Sequence, residues 1–205
     1  CDVVCITTNG FVSKNGKAVM GRGCAKEIKE REPGIDVILG TKIRELGPGV
    51  LPLKTLADGK TILSFPVKPA RVIYDGNNIV NHAKSKFEVG DEVPGYFAKA
   101  ELEIIEESAR ALRRMADSMP EWNNIILPRP GCGAGELTWS DVKPVLAKYF
   151  DHRFSVVTFP FHENAIYYAG IGARDTPEEA LSAMNKLSPS SQTAAGAAGA
   201  AALQR

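Results

Sequence analysis

The chain has 205 residues, of which 44% are hydrophobic and 24% charged, and 25 Lys and Arg against 24 Asp and Glu leave a formal charge of +1. That length holds one substantial domain, or one domain with a fragment; the composition excludes general disorder and gives no global basic signal for nucleic acid. No apolar run reaches the roughly 20 residues that span a bilayer, and the opening CDVVCITTNG lacks the regions of a secretory signal, so a cytoplasmic protein with no membrane partner is expected. Cys1, Cys5, Cys24 and Cys132 match neither a zinc knuckle nor a disulfide framework and are read as free thiols. His82, His152 and His162 show no metal spacing with Cys, Asp or Glu, so no metal site is expected. The chain starts at Cys1 rather than Met, already in a strand pattern, and an upstream strand is expected to be missing.

Residues 2–8 (DVVCITT) are a β-branched run stopped by the turn pair Asn9-Gly10, which predicts a buried strand running into a loop over residues 10–23. Residues 22–31 carry Ala25, Ile28 and good helix formers before Pro33-Gly34, and residues 36–46 read as a second helix closed by Gly47. Strands at 50–57 and 61–67, separated by Asp58-Gly59, predict a hairpin. Residues 68–95 are irregular, and a connection of that length reads as a lid or as a surface insertion. The longest helix is predicted over residues 96–119, where Leu102, Ile105, Ala109, Leu112 and Met115 share a face, with an acidic first half and a basic second half that complement the dipole. Residues 123–127 follow as a strand, residues 140–150 as a helix capped by Ser140 with Pro144 in its first turn, and residues 154–159 (FSVVTF) as a last strand. Strands alternating with helices argue for an α/β layered domain. Past a boundary near Phe161, residues 166–169 read as a strand, 176–187 as a helix, and 188–202 as low-complexity Ser, Ala and Gly.

The sharpest chemical signal is Pro128-Arg129-Pro130-Gly131-Cys132-Gly133-Ala134-Gly135-Glu136, between a strand and a helix. Three glycines in five residues let the backbone approach a ligand closely and turn its N–H groups into an anion-binding concavity, aided by the next helix N-terminus. It is neither a Walker A loop nor a GxGxxG fingerprint. A glycine-rich turn with no ligand is the plainer reading. Gly21-Arg22-Gly23 forms a second loop opening a helix, so two anion-accepting loops would leave one carboxyl-end edge of a sheet, an arrangement that suits a diphosphate. Lys14, Lys17, Arg22, Lys26, Lys29 and Arg31 outnumber Glu27 and Glu30 around it, which reads as a local positive bias or as a solvated helix face.

Residues 2–9, then Met20-Gly21-Arg22-Gly23-Cys24-Ala25-Lys26, then Leu127 through Trp139, followed by Val142-Lys143-Pro144, together resemble a macrodomain. Within that family the chain most resembles the branch of the antitoxin macrodomains that remove ADP-ribose from DNA and the terminal ADP-ribose glycohydrolases of proteins. The resemblance covers residues 1–161 and implies a three-layer α/β/α fold with a mixed central sheet and a cleft for ADP-ribose, with no further cofactor. Carried over by position, Asn9, Gly21, Arg22 and Gly23 would surround the distal ribose, and Gly131, Cys132, Gly133, Ala134 and Gly135 would hold the diphosphate. Phe159 or Phe161 would stack on adenine, or both belong to the core. The family's adenine-reading aspartate would lie upstream of Asp2.

Lys68 aligns with the lysine that this branch uses in catalysis. Such an amine attacks the anomeric carbon or polarises it electrostatically if neighbouring cations and desolvation lower its pKa; as an isolated residue it reads as a solvent-exposed lysine. Glu136, one position past the place of the protein glycohydrolases' aspartate, is the candidate acidic partner or a charge complementing a helix N-terminus. The resemblance thus implies an ADP-ribose-binding macrodomain that hydrolyses an ADP-ribosyl linkage on DNA or protein, or a non-catalytic binding module for ADP-ribose or a related nucleotide. Arg71, Tyr74, His82, Lys84 and Lys86 in the long connection would touch the modified macromolecule or belong to a plain surface insertion. Residues 168–177 resemble the opening of a SLOG-type nucleotide-binding domain, so residues 162–205 are read as a partial SLOG-like segment with a low-complexity tail.

Overall fold

A computed structural model describes residues 1–157 and 169–170. β1 (Val3–Asn9) leads through a long loop to α1 (Gly23–Arg31) and α2 (Ile35–Leu46), then to β2 (Pro52–Thr55) and β3 (Thr61–Lys68). After an elaborate connection holding β4 (Arg71–Ile73) and β5 (Glu92–Pro94), the chain continues through α3 (Leu102–Asp117), β6 (Ile125–Pro128), α4 (Trp139–Ala147), β7 (Phe154–Val157) and β8 (Ala169–Gly170). The main sheet has the order β2-β3-β1-β6-β7-β8. β3, β1, β6 and β7 run parallel, and the edges β2 and β8 are antiparallel to their neighbours, so the sheet is mixed.

Apolar spacing sorts the helices into two layers. Ala25 of α1 and Ile35, Leu39 and Ile43 of α2 pack with Ile6 and Ile62 on one side. Ile105, Ala109 and Leu112 of α3 and Val142 and Leu146 of α4 cover Val3, Phe65, Ile125 and Phe154 on the other. A fully buried side chain of this kind contributes about 1.5–3 kcal/mol. Between helical layers β3 reads as an almost continuous buried run, as central parallel strands do. Its one buried hydroxyl, Ser64 Oγ, donates to Gly49 O at 2.8 Å and accepts from Leu51 N at 3.0 Å.

Three expectations need correcting. The longest helix starts at Leu102, not residue 96, because Ala100 N is committed to Gly135 O (2.9 Å) and Glu101 N to Val67 O (3.0 Å), which holds that stretch extended. α4 is entered through Thr138, not Ser140; Thr138 Oγ1 donates to Asp141 Oδ2 at 2.6 Å, and Pro144 consequently lies in the second turn, where its missing N–H forfeits a helical bond. The connection after β3 is no irregular loop: β4 and β5 pair antiparallel over a small core of Tyr74, Ile79, Val80, Ala83 and Val93. The hairpin β2–β3, α1 and α2 form close to where their residues predict. Phe159, Phe161, the expected helix 176–187 and the tail lie outside the described residues, as do the expected strand 166–169 apart from Ala169 and the SLOG-like stretch apart from Ala169 and Gly170.

Candidate functional site

Because β1, β3 and β6 are parallel neighbours, the segments that follow them leave the same edge of the sheet. Pro66, which offers no N–H, lies opposite Thr8; the ladder shifts there, and the bulge brings Asn9 opposite Lys68. The loop after β1 is fixed from below. Gly40 of α2 sits so close that a Cβ would stand 2.1 Å from Gly16 O, and Ala18 N donates to Asp36 O at 2.9 Å. Asn9 spends both ends of its amide on this loop, Nδ2 donating to Val19 O (2.9 Å) and Oδ1 accepting from Phe11 N (3.0 Å). It shapes the loop from within.

The loop ends in open main chain. Arg22 precedes α1 in extended conformation with no side-chain cap, the first turn carries no acidic residue, and a Cβ at Gly21 or Gly23 would meet nothing within 4 Å. A helix start of this kind leaves its first N–H groups to solvent or a ligand. Around it Arg22, Lys26, Lys29 and Arg31 are exposed, and Lys26 meets Glu30 at 3.7 Å, which fits a solvated face.

The second glycine loop divides its labour. Gly131 is buried at φ 76° and Gly135 is buried with its carbonyl on Ala100 N; a Cβ on Gly135 would stand 2.5 Å from Gly131 O and 2.6 Å from Ala100 Cβ. Both are glycine because the turn closes on itself. Gly133 and Ala134 are exposed, and among the described residues the N–H groups of Gly133, Ala134 and Gly135 have no hydrogen-bond acceptor. Cys132 Sγ donates to Pro130 O at 3.5 Å, and burial pushes its thiol up to about 11, so it stays protonated at neutral pH.

Lys68 ends β3 between the two loops and is 8% exposed. Its Nζ donates to Ala134 O at 2.7 Å and Tyr96 O at 3.5 Å. Burial lowers its pKa to about 8; the Glu136 carboxylate opposes that fall and the Arg22 guanidinium adds to it. One residue from each loop therefore acts on this amine. Glu136 has φ 60°, the one non-glycine at positive φ among the described residues, and its Oε1 accepts from Asn81 N at 2.8 Å. The hydroxyl of buried Thr8, opposite Pro66, has no partner among the described residues.

Sequence reasoning missed an aromatic and main-chain wall contributed by the connection. Phe11 meets Tyr96 edge-on at 5.3 Å, Tyr96 meets Phe97 at 4.5 Å, and the Arg71 guanidinium lies 5.1 Å over Phe11. Phe11 beside the Asn-Gly turn was the available signal; for Asn81, which acts through its backbone N–H, the sequence holds none. Tyr74 is buried with its hydroxyl donating to Gly76 O at 3.1 Å, so it is core rather than a stacking face. Lys86 lies 5.3 Å over Phe97. Among the described residues no three His, Cys, Asp or Glu gather as a metal site, and no helix is long and apolar enough to cross a membrane.

Neither a protein-family model nor a curated protein matches the sequence. Among solved structures the chain is similar to the macrodomain of Mycobacterium tuberculosis DarG, with 21% identity and a TM-score of 0.51 over 73% of this chain and 80% of that one. It is also similar to Thermosipho africanus DarTG in complex with ADP-ribose, with 18% identity and a TM-score of 0.51 over 72% of this chain. The chain spans 34% of the length of that DarTG chain. The fold is the three-layer macrodomain fold.

Proposed function

We propose, with the macrodomain fold as the premise, that this protein binds ADP-ribose across its two glycine loops and hydrolyses an ADP-ribosyl linkage on DNA or protein. The observation that carries the reading is Lys68: an amine with a pKa near 8, set at a strand end between two clusters of open main-chain N–H groups. The amides of Gly133, Ala134 and Gly135 and the uncapped start of α1 are suited to the diphosphate, and Gly21 and Gly23 leave room for the distal ribose. The neutral Lys68 amine adds to the anomeric carbon while the bond to the macromolecule breaks and its electron pair leaves with the departing group. That group takes a proton, and water then displaces the amine and releases ADP-ribose. Glu136 is the carboxylate that biases Lys68 towards its charged form and the candidate for the proton transfer.

Binding without turnover is the second reading, favoured by Gly135: its packing leaves no room for a side-chain carboxylate at that position. Release of free ADP-ribose from modified DNA or protein, compared between the wild type and Lys68→Ala, separates the two. Release by the wild type alone supports hydrolysis; release by neither protein, with calorimetric binding intact, refutes it. ADP-ribose at 100 times its dissociation constant should stabilise the fold by about 2.7 kcal/mol, more than AMP, ADP or NAD at the same concentration.

A further inference from the structure

Three consecutive residues of the second glycine loop are each fastened to the connection that follows β3 or to the end of β3 itself. Ala134 O takes the Lys68 ammonium, Gly135 O takes Ala100 N, and the Glu136 carboxylate takes Asn81 N. The third bond joins positions 55 apart in the sequence and is the outermost of the set. Asn81 opens a short 3-10 turn (Asn81–Lys86) with no side-chain cap of its own, so the Glu136 carboxylate supplies the acceptor that its first N–H lacks. Glu136 holds this position at φ 60°, a conformation that costs a non-glycine residue free energy and that glycine would adopt without strain. A glutamate in a glycine's conformation, with its carboxylate spent on a distant backbone amide, marks the side chain rather than the turn as the thing required.

We infer that Glu136 and the main-chain N–H of Asn81 form a latch that positions the second glycine loop, holding the N–H groups of Gly133, Ala134 and Gly135 in their ligand-accepting arrangement. The latch ties the loop to the turn on which Lys84 and Lys86 sit, so whatever displaces that turn also loosens the anion cradle. Both are positioning residues in this role: their bond joins the Glu136 side chain to the Asn81 N–H and leaves the N–H groups of Gly133, Ala134 and Gly135 unused.

The test uses the whole chain. Asn81→Pro deletes the donor alone, because proline is tolerated at the first position of a helical turn and Val80 is already extended (ψ 145°), as a residue before proline must be. Asn81→Ala keeps the N–H and serves as the control. Amide hydrogen exchange of Ala100 in the free protein reads the loop directly, since Ala100 N is bonded to Gly135 O. Asn81→Pro and Glu136→Ala are expected to speed it by about tenfold each, with no further gain in the double variant, whereas Asn81→Ala and Glu136→Gln, which keep donor and acceptor, stay near the wild type. Unchanged exchange in Asn81→Pro, or additive gains in the double variant, overturns the latch. The affinity arm rests on the ADP-ribose reading: at pH 6.5 Asn81→Pro should weaken ADP-ribose binding roughly three- to tenfold. Faster exchange with unaltered affinity overturns the link to the ligand loop, while a wild type that binds no ADP-ribose overturns the functional reading and leaves the latch to be decided by Ala100 exchange.

Discussion

Replacing Lys68 by methionine should make the protein more stable at neutral pH. The side chain is 8% exposed and burial is the main reason its pKa falls from 10.5 to about 8, so at pH 7 the fold carries a charged ammonium in a place that disfavours it. A depression of that size corresponds to about 3 kcal/mol of differential interaction between the charged and neutral forms. Methionine keeps the length and removes the charge; losing the donor to Ala134 O, on an exposed residue, and to Tyr96 O, at a long 3.5 Å, costs about 1 kcal/mol together. A net gain of about 2 kcal/mol remains, a rise of roughly 4–8 °C in Tm for a domain of this size. The gap has a pH signature. Below pH 8 the lysine is protonated in both the folded and unfolded protein and the penalty is complete. Between pH 8 and pH 10.5 the folded protein loses its proton while the unfolded chain keeps it, so the wild type gains stability and the two melting temperatures converge. Thermal melts of both proteins from pH 6 to pH 10.5 measure this. A methionine variant that melts below the wild type at pH 7, or a gap that does not change with pH, refutes the claim that burial sets the amine's pKa.

The two loops should act on Lys68 with opposite signs: Glu136→Gln lowers the midpoint of its reaction with an amine-acylating reagent below pH 8 and Arg22→Ala raises it, as followed by mass spectrometry across pH; shifts in the same direction would contradict the electrostatic assignment. Gly135→Ala should cost about 2–3 kcal/mol in chemical denaturation because its Cβ meets Gly131 O and Ala100 Cβ, whereas Gly133→Ala, with nothing within 4 Å, should leave stability nearly unchanged. Equal effects at the two glycines would show that the loop is not divided into a packed half and an open half.

What the sequence disclosed follows from local physics. A β-branched run before Asn9-Gly10, three glycines after Leu127 and a lysine at a strand end are signals of short range, and the parallel sheet places all three at one edge. The misreadings share a cause in long-range partners. Residues 96–101 look helical by composition, but only Gly95–Phe97 form a short 3-10 turn; Lys99 N bonds to Asn78 O, Ala100 N to Gly135 O and Glu101 N to Val67 O, and tertiary pairing overrides propensity. Thr138 rather than Ser140 starts α4, a displacement of two residues that moves Pro144 out of the first turn. Between β3 and α3 the strands are three residues each, too short for a period to emerge, and the small core beneath them is assembled from Tyr74, Ile79 and Val93 across a wide span of sequence. Glu136 carries no mark that its carboxylate belongs to Asn81.

The position of β1 in the sheet bears on how the domain is made. It precedes both of its neighbours in the chain, yet Val3 and Val4 lie between Thr61 and Ile62 on one flank and Ile125 and Ile126 on the other, and Asp2 Oδ2 accepts from Asn123 N and Asn124 N. On the ribosome β1 should find β3 as its partner before β6 emerges, an interval of roughly 3–11 s at about 5–20 residues per second. Through that interval the half-built sheet offers a bare hydrogen-bonding edge to any other extended segment, and nascent chains stalled before residue 125 should be the species that chaperones retain.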